Sequence, residues 1–242
     1  MKEANRSIAK RDQAIRQRKW VSNPTVKSLP HNDSDDSDDS DESPDDQLIR
    51  EFIRCVIKEQ SVGLCGDRAL DLQDALATAQ LAHMGQTRRS GGPYLSHPME
   101  VARIINAYYP DTPDLCTIAL LHDALEDALT QGNVSSQEEM ESMIAGSFQD
   151  SNLGHRALEI VSALTHDKGI PYTDYLLQLA SEPSALKIKL ADMLHNIQSS
   201  PSERQFKKYQ DAIGALKDHF GGMPPQIDTG HWNVLLQAAG LF

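Results

Sequence analysis

Aromatic residues make up only 5% of this 242-residue chain. Its core must therefore be aliphatic and rich in alanine, a composition that suits packed helices. Alternating runs of β-branched residues, the mark of half-buried strands, are missing as well. The three cysteines, Cys55, Cys65 and Cys116, include no C-x-x-C spacing. An odd count without that spacing argues against a disulfide framework and a structural zinc site, and fits a reducing cytoplasm. No apolar run approaches the roughly 20 residues that span a bilayer. The basic N-terminus is not followed by the apolar stretch of a signal peptide, so no membrane association is expected. Positive charge is scarce too: 23 Lys and Arg face 35 Asp and Glu, for a net charge of -12. A general nucleic-acid binder needs basic patches on phosphates, so that class is disfavoured.

What is present is one sizeable core's worth of sequence, 39% hydrophobic, behind an unusual leader. Residues 1–20 are basic, with Ile8, Ile15 and Trp20 on a weak apolar stripe. They read as a frayed arm that offers a docking surface to a protein partner. Residues 32–46, NDSDDSDDSDESPDD, cannot be buried and repel one another. The run lacks the glycine and closing glutamate of a calcium loop. Residues 1–46 are thus expected to be a disordered arm and acidic linker, and 47–242 the folded domain.

From Gln47 the periodicity is helical. Leu48, Phe52, Cys55 and Val56 mark one helix, ended by Gly63 and Gly66. Asp67 caps a second, whose stripe runs through Leu70, Leu72, Leu76 and Ala79 to His83. A glycine-rich loop, 85–94, follows. Pro98 and Pro113 sit in the first turns of the next two helices. Ser135-x-x-Glu138 and Ser136-x-x-Glu139 are capping-box frames for a fifth. Helices are expected around 154–165, 172–181, 183–197, 202–219 and 231–240. The fold class is all-α.

The stretch Leu120-Leu121-His122-Asp123-Ala124-Leu125-Glu126-Asp127 stands out. On one helix, His122 and Glu126 are a turn apart, as are Asp123 and Asp127, so all four share a face. Leu121 and Leu125 then point to the core. The octad holds no lysine or arginine to neutralise its acids. Such a group is costly unless a cation sits among it. His97 and Asp192 are further candidates; Asp192 lies off the apolar stripe Leu186, Leu190, Leu194 and Ile197, so it is either solvated or paired. Two histidines and two aspartates suit a divalent first-row ion, Mn²⁺ best, with Fe²⁺, Co²⁺ or Zn²⁺ as other candidates.

The order His, His-Asp, Asp is similar to that of the HD-domain metal-dependent phosphohydrolases. AHMGQTRRSGGPYLSHP, LLHDALED and LKIKLADMLHNI, in that order, resemble the hydrolase domain of the RelA/SpoT family over about residues 68–220. That family removes the 3′-pyrophosphate from the guanosine alarmones ppGpp and pppGpp of the stringent response. The resemblance implies an all-helical HD bundle, and a small stand-alone hydrolase, because the family's synthetase domain would follow and the chain ends first. It implies His97, His122, Asp123 and Asp192 as metal ligands. It implies Glu126 and Asp127 as the catalytic acids that orient a metal-activated water and move its proton. Arg88 and Arg89 match the family's positions at the nucleotide. Asn196 matches a residue near the nucleoside, with Ser199 beside it. Lys168 resembles a lysine of the metazoan-type small hydrolases that reaches the phosphates, and Tyr209 closes the pocket on a looser alignment.

Tyr94 is expected to pack the loop, and His83 and His195 to support the site or fill the core. Lys189 serves either the helix surface or the site's charge balance. Two departures stand out: Met193 and Gln198 occupy positions that are usually basic in the family. Both remove positive charge, which puts substrate identity rather than metal binding in question. Three functions compete: an alarmone 3′-pyrophosphohydrolase, a related HD phosphohydrolase acting on another nucleotide such as NADPH, and a silent domain that binds an alarmone or a protein. A homo-oligomer is left open.

Overall fold

The computed structural model describes residues 47–53, 67–89 and 91–242. The expectations for the basic arm, the acidic run, Cys55, Val56, Cys65 and the Gly63–Gly66 connection lie outside these residues. After a helical segment at 47–53, ten helices follow among the described residues. They are α1 (Asp67–Ala82), α2 (Ser96–Tyr108), α3 (Pro113–Ala119), α4 (Ala124–Gln131), α5 (Gln137–Gly146), α6 (Ser151–Leu164), α7 (Tyr172–Leu179), α8 (Pro183–Gln198), α9 (Glu203–Phe220) and α10 (Thr229–Ala239). No strand occurs among the described residues; Thr87 and Pro93 make one isolated antiparallel bridge. No helix among them is long and apolar enough to cross a membrane.

Helix ends follow local chemistry. Of the two capping frames at α5, the second forms: Ser136 accepts from the Glu139 amide, and the Glu139 carboxylate accepts from the Ser135 amide at 2.8 Å. Asp150, Ser202 and Asp228 cap α6, α9 and α10 in the same manner. Each satisfies an amide that the first helical turn leaves without a partner.

Helix α8 sits at the centre, packed by α2, α6, α7, α9 and α10. Its stripe Leu186, Leu190, Leu194 and Ile197 is buried, and so are Ile188, Ala191 and Met193. A helix apolar on every side has no solvent face, so Lys189 and Asp192 are buried with it and must satisfy each other. Helix α1 shows the opposite deviation. Leu72, Ala75, Leu76, Ala79 and Ala82 face the core, while Leu70 is 46% exposed. The expected place of Leu70 in the stripe is wrong, because its angular position falls opposite the buried set.

Helices α5 and α6 approach closely at Gly154. A Cβ on Gly154 would collide with the main-chain oxygen of Ala145, a group that cannot swing away. Gly154→Ala is expected to cost about 1–3 kcal/mol through forced separation of the two helices. A urea denaturation midpoint equal to that of the parent chain would show that the helices separate freely.

Candidate active site

The octad does not lie on one helix. α3 ends at Ala119 and α4 begins at Ala124, so His122 and Asp123 occupy the turn between them. The amides of Leu120, Leu121, His122 and Ala124 bond three residues back, a tighter winding than the α-helix. His122 adds a side-chain bond to this turn: its Nδ1 donates to the Ala119 carbonyl at 2.9 Å, an oxygen that also accepts from the His122 amide. Regular winding resumes when the Asp127 amide bonds the Asp123 carbonyl at 3.0 Å. The expected single helical face is therefore corrected to a turn that delivers His122 and Asp123, followed by a helix start that carries Glu126 and Asp127.

Asp123 and three buried residues from three segments converge. His97 comes from the first turn of α2, His122 and Asp123 from the turn, and Asp192 from mid-α8. His97 Nε2 lies 3.4 Å from Asp123 Oδ2 and 3.1 Å from Asp192 Oδ1. His122 Nε2 lies 3.0 Å from Asp123 Oδ2 and 3.9 Å from Asp192 Oδ1. One donor atom each of His97, His122 and Asp123 falls within 4.8 Å of the others.

The residues fit a cation. With Nδ1 donating to Ala119, His122 turns its Nε2 lone pair inward, where that buried atom has no hydrogen-bond partner. His97 Nδ1 meets His195 Nδ1 at 2.7 Å. Burial, and then the charge of His97, push His195 down to about 3, so His195 is neutral and able to accept at Nδ1 from His97. This contact also points His97 Nε2 at the carboxylates. Burial alone would lower His97, yet its bonds to Asp123 and Asp192 raise it. Burial opposes ionisation of Asp123 and Asp192, but the neighbouring histidines hold the first well below the carboxylate range and Lys189 leads in lowering the second. The cluster thus draws positive charge inward and presents two nitrogens and two carboxylates to it, a set that can hold a divalent metal.

Supporting contacts surround the cluster. Lys189 Nζ lies 2.9 Å from Asp192 Oδ2, so of its two expected roles the structure places it at charge balance. Tyr94 does more than pack the loop: its hydroxyl donates to Asp123 Oδ2 at 3.0 Å. The Asn196 amide donates to Asp192 Oδ1. Asp127 is held by Gln86 Nε2 at 3.0 Å, and Gln86 Oε1 meets His83 Nδ1 at 3.0 Å. His83 is thereby placed behind the acid pair, with its ring tilted against that of Tyr94 at a centroid distance of 4.8 Å.

Asp123 and Asp192 form part of the wall of a cavity of about 460 Å³, with Glu126 and Asp127 beside them. Arg88, Arg89, Lys168, Asn196, Ser199 and Tyr209 all line it. The loop that brings the arginines folds back tightly. The Arg88 amide bonds the Gly92 carbonyl at 3.1 Å, and Gly91 and Gly92 take φ of 88° and 80°, a backbone region open to glycine. Arg88 Nη2 then reaches Asn196 Oδ1 at 3.4 Å, while its guanidinium lies 5.5 Å from the Tyr94 ring centroid. Lys168 Nζ is 3.9 Å from Glu126 Oε1. Ser199 Oγ donates to the His195 carbonyl at 2.8 Å.

The two departures fall elsewhere. Met193 is fully buried in the core, and Gln198 is exposed; neither lines the cavity. The expected loss of charge near the substrate is corrected accordingly, since neither side chain faces the space where a ligand would sit. Sequence reasoning missed Gln86 as the holder of Asp127, and Lys208, Tyr172 and Gln205 as wall residues. Gln86 had a signal, one helical turn after His83; for Lys208 the adjacent Lys207 made the helix face ambiguous.

The HD domain family matches residues 75–214. The bifunctional (p)ppGpp synthase/hydrolase RelA of Mycobacterium tuberculosis is 33% identical over 148 residues, 60% of this chain and 19% of that protein. The GTP pyrophosphokinase rsh of Brucella melitensis biotype 1 is 31% identical over 147 residues, 58% of this chain and 18% of that protein. The chloroplastic RSH1 of Oryza sativa subsp. japonica is 32% identical over 151 residues, 60% of this chain and 17% of that protein. The chain spans less than a fifth of the length of these relatives. With more than half of its residues matched, the chain belongs to the HD domain family and, by these relatives, to its RelA/SpoT type.

Proposed function

We propose that the chain hydrolyses the 3′-pyrophosphate of ppGpp and pppGpp, giving GDP or GTP and pyrophosphate, with Mn²⁺ as its cofactor. The observation that carries this reading is one cavity that joins the His/Asp cluster, the Glu126–Asp127 pair and a wall of arginines and lysines. The segment matched to the HD domain family contains all of these residues. Relatives whose names include synthesis share only part of their length with this chain. Cytoplasmic location belongs to the same reading.

His97, His122, Asp123 and Asp192 would hold the ion. A divalent cation there makes water acidic enough to lose a proton near neutral pH. Tyr94, Asn196 and Lys189 fix the two aspartates, so their inward oxygens keep their aim. Asp127 is tied to Gln86, which leaves it suited to orienting the attacking water. Glu126, whose side chain is 45% exposed, is the partner that takes the proton. The water oxygen bonds to phosphorus, the bond from phosphorus to the 3′-oxygen breaks, and the proton returns to that oxygen. Arg88 and Arg89 supply planar guanidinium groups for the purine or its phosphates. Asn196 and Ser199 flank the nucleoside, Lys168 faces the phosphates, and Tyr209 closes the wall.

The test is turnover with Mn²⁺ against a panel of ppGpp, pppGpp, GTP and NADPH. Release of pyrophosphate from the two alarmones is the expected result. Loss of phosphate from NADPH with ppGpp untouched would move the site to the other nucleotide. Binding of ppGpp without any turnover would make the domain a silent binder.

A further inference from the structure

Three lysines line the cavity, and two have a carboxylate: Lys189 at Asp192 and Lys168 at Glu126. Lys208 has no ion-pair partner among the described residues. The helix explains why. The neighbouring Lys207 takes Asp211 at 2.7 Å, and one turn on from Lys208 stands the buried Ala212. The Lys208 ammonium instead lies 4.2 Å from the Tyr172 ring centroid and 4.7 Å from that of Tyr209. Gln205 Nε2 donates to the Tyr209 hydroxyl at 3.2 Å and so fixes one of those rings. Ring faces hold a cation in place without cancelling its charge. A positioned, uncompensated ammonium therefore faces a cavity whose carboxylates are already engaged with histidines, Gln86 or the other two lysines.

We propose that Lys208 is a specificity-determining residue that binds a phosphoryl group of the nucleotide other than the one attacked. Tyr172 and Tyr209 preorganise it. The proposal rests on the nucleotide phosphohydrolase reading. Two parts of an alarmone offer such a group, the 5′-diphosphate and the distal phosphoryl of the 3′-pyrophosphate. Both present oxygens to a charge-assisted hydrogen bond from the ammonium.

Calorimetric titration of the manganese-loaded full chain with GDP, inorganic pyrophosphate and guanosine separates them. Lys208→Gln is expected to weaken GDP or pyrophosphate at least about tenfold, the usual scale for losing a charged hydrogen bond. It should leave guanosine unchanged. Weakened GDP assigns Lys208 to the 5′-diphosphate, and weakened pyrophosphate assigns it to the distal phosphoryl of the 3′-pyrophosphate. Lys207→Gln should match the parent chain, and Lys208→Arg should retain most of the affinity. The proposal is overturned by parent-like binding of both anions in Lys208→Gln, by an equal loss in Lys207→Gln, or by no anion binding in the parent chain. Hydrolysis of ppGpp by the parent is scored separately. Anion binding through Lys208 without hydrolysis defeats the hydrolase reading alone, and hydrolysis with an unaffected Lys208→Gln defeats the Lys208 assignment alone.

Discussion

Glu126→Gln is expected to lower kcat by about 10²–10⁴-fold, the usual worth of a positioned acid or base, while manganese content and nucleotide affinity stay at the parent level. The substitution keeps the shape of the side chain and removes its basicity. Glu126 is not among the converging donors; it pairs with Lys168 at 3.9 Å. Removing its charge should therefore leave the four proposed metal donors in place. Arg88→Ala should behave differently. Arg88 reaches Asn196 and Tyr94 on the cavity wall, away from the acid pair. Its loss is expected to raise KM about tenfold with a smaller change in kcat. A Glu126→Gln protein that loses its metal would make Glu126 a ligand. One that turns over at the parent rate would make the acid pair a solvated helix start.

Asp123→Ala should act one step earlier. Asp123 Oδ2 is the atom on which His97, His122 and the Tyr94 hydroxyl converge. Its removal takes away a charged donor and the contact that keeps both imidazoles aimed at one point. Bound manganese is expected to fall from about one equivalent to near zero, with activity falling along with it. Elemental analysis after gel filtration reads the metal directly, without reference to turnover. Full metal content in Asp123→Ala would remove Asp123 from the ligand set.

The sequence carried the site better than it carried the backbone beneath it. His122, Asp123, Glu126 and Asp127 do gather at one place, because a tight turn running into a helix keeps residues four apart on roughly one side. The break between Ala119 and Ala124 was not legible: no glycine or proline marks it, and the histidine side chain bonded to the Ala119 carbonyl there shows only in the structure. Asp192 was recognisable as a polar residue off the apolar stripe. That α8 is buried all round, and that Lys189 and Asp192 therefore share one ion pair, depends on neighbours distant in sequence. Leu70 misled because an apolar residue in an amphipathic helix need not face the core. Met193 misled in the reverse sense, since a departure beside Asp192 lies a hundred degrees around the helix from it and points into the core. Tyr94 and Gln86 sat within a recognised motif, but their roles as donors to Asp123 and Asp127 are tertiary facts.

The most direct measurement is a pair of phosphorus NMR time courses on the manganese-loaded chain. One starts from ppGpp, the other from GDP with ATP. Hydrolysis at the His/Asp cluster should turn ppGpp into GDP and pyrophosphate, and should leave the second mixture without any alarmone. Formation of ppGpp from GDP and ATP, with added ppGpp left intact, would contradict it.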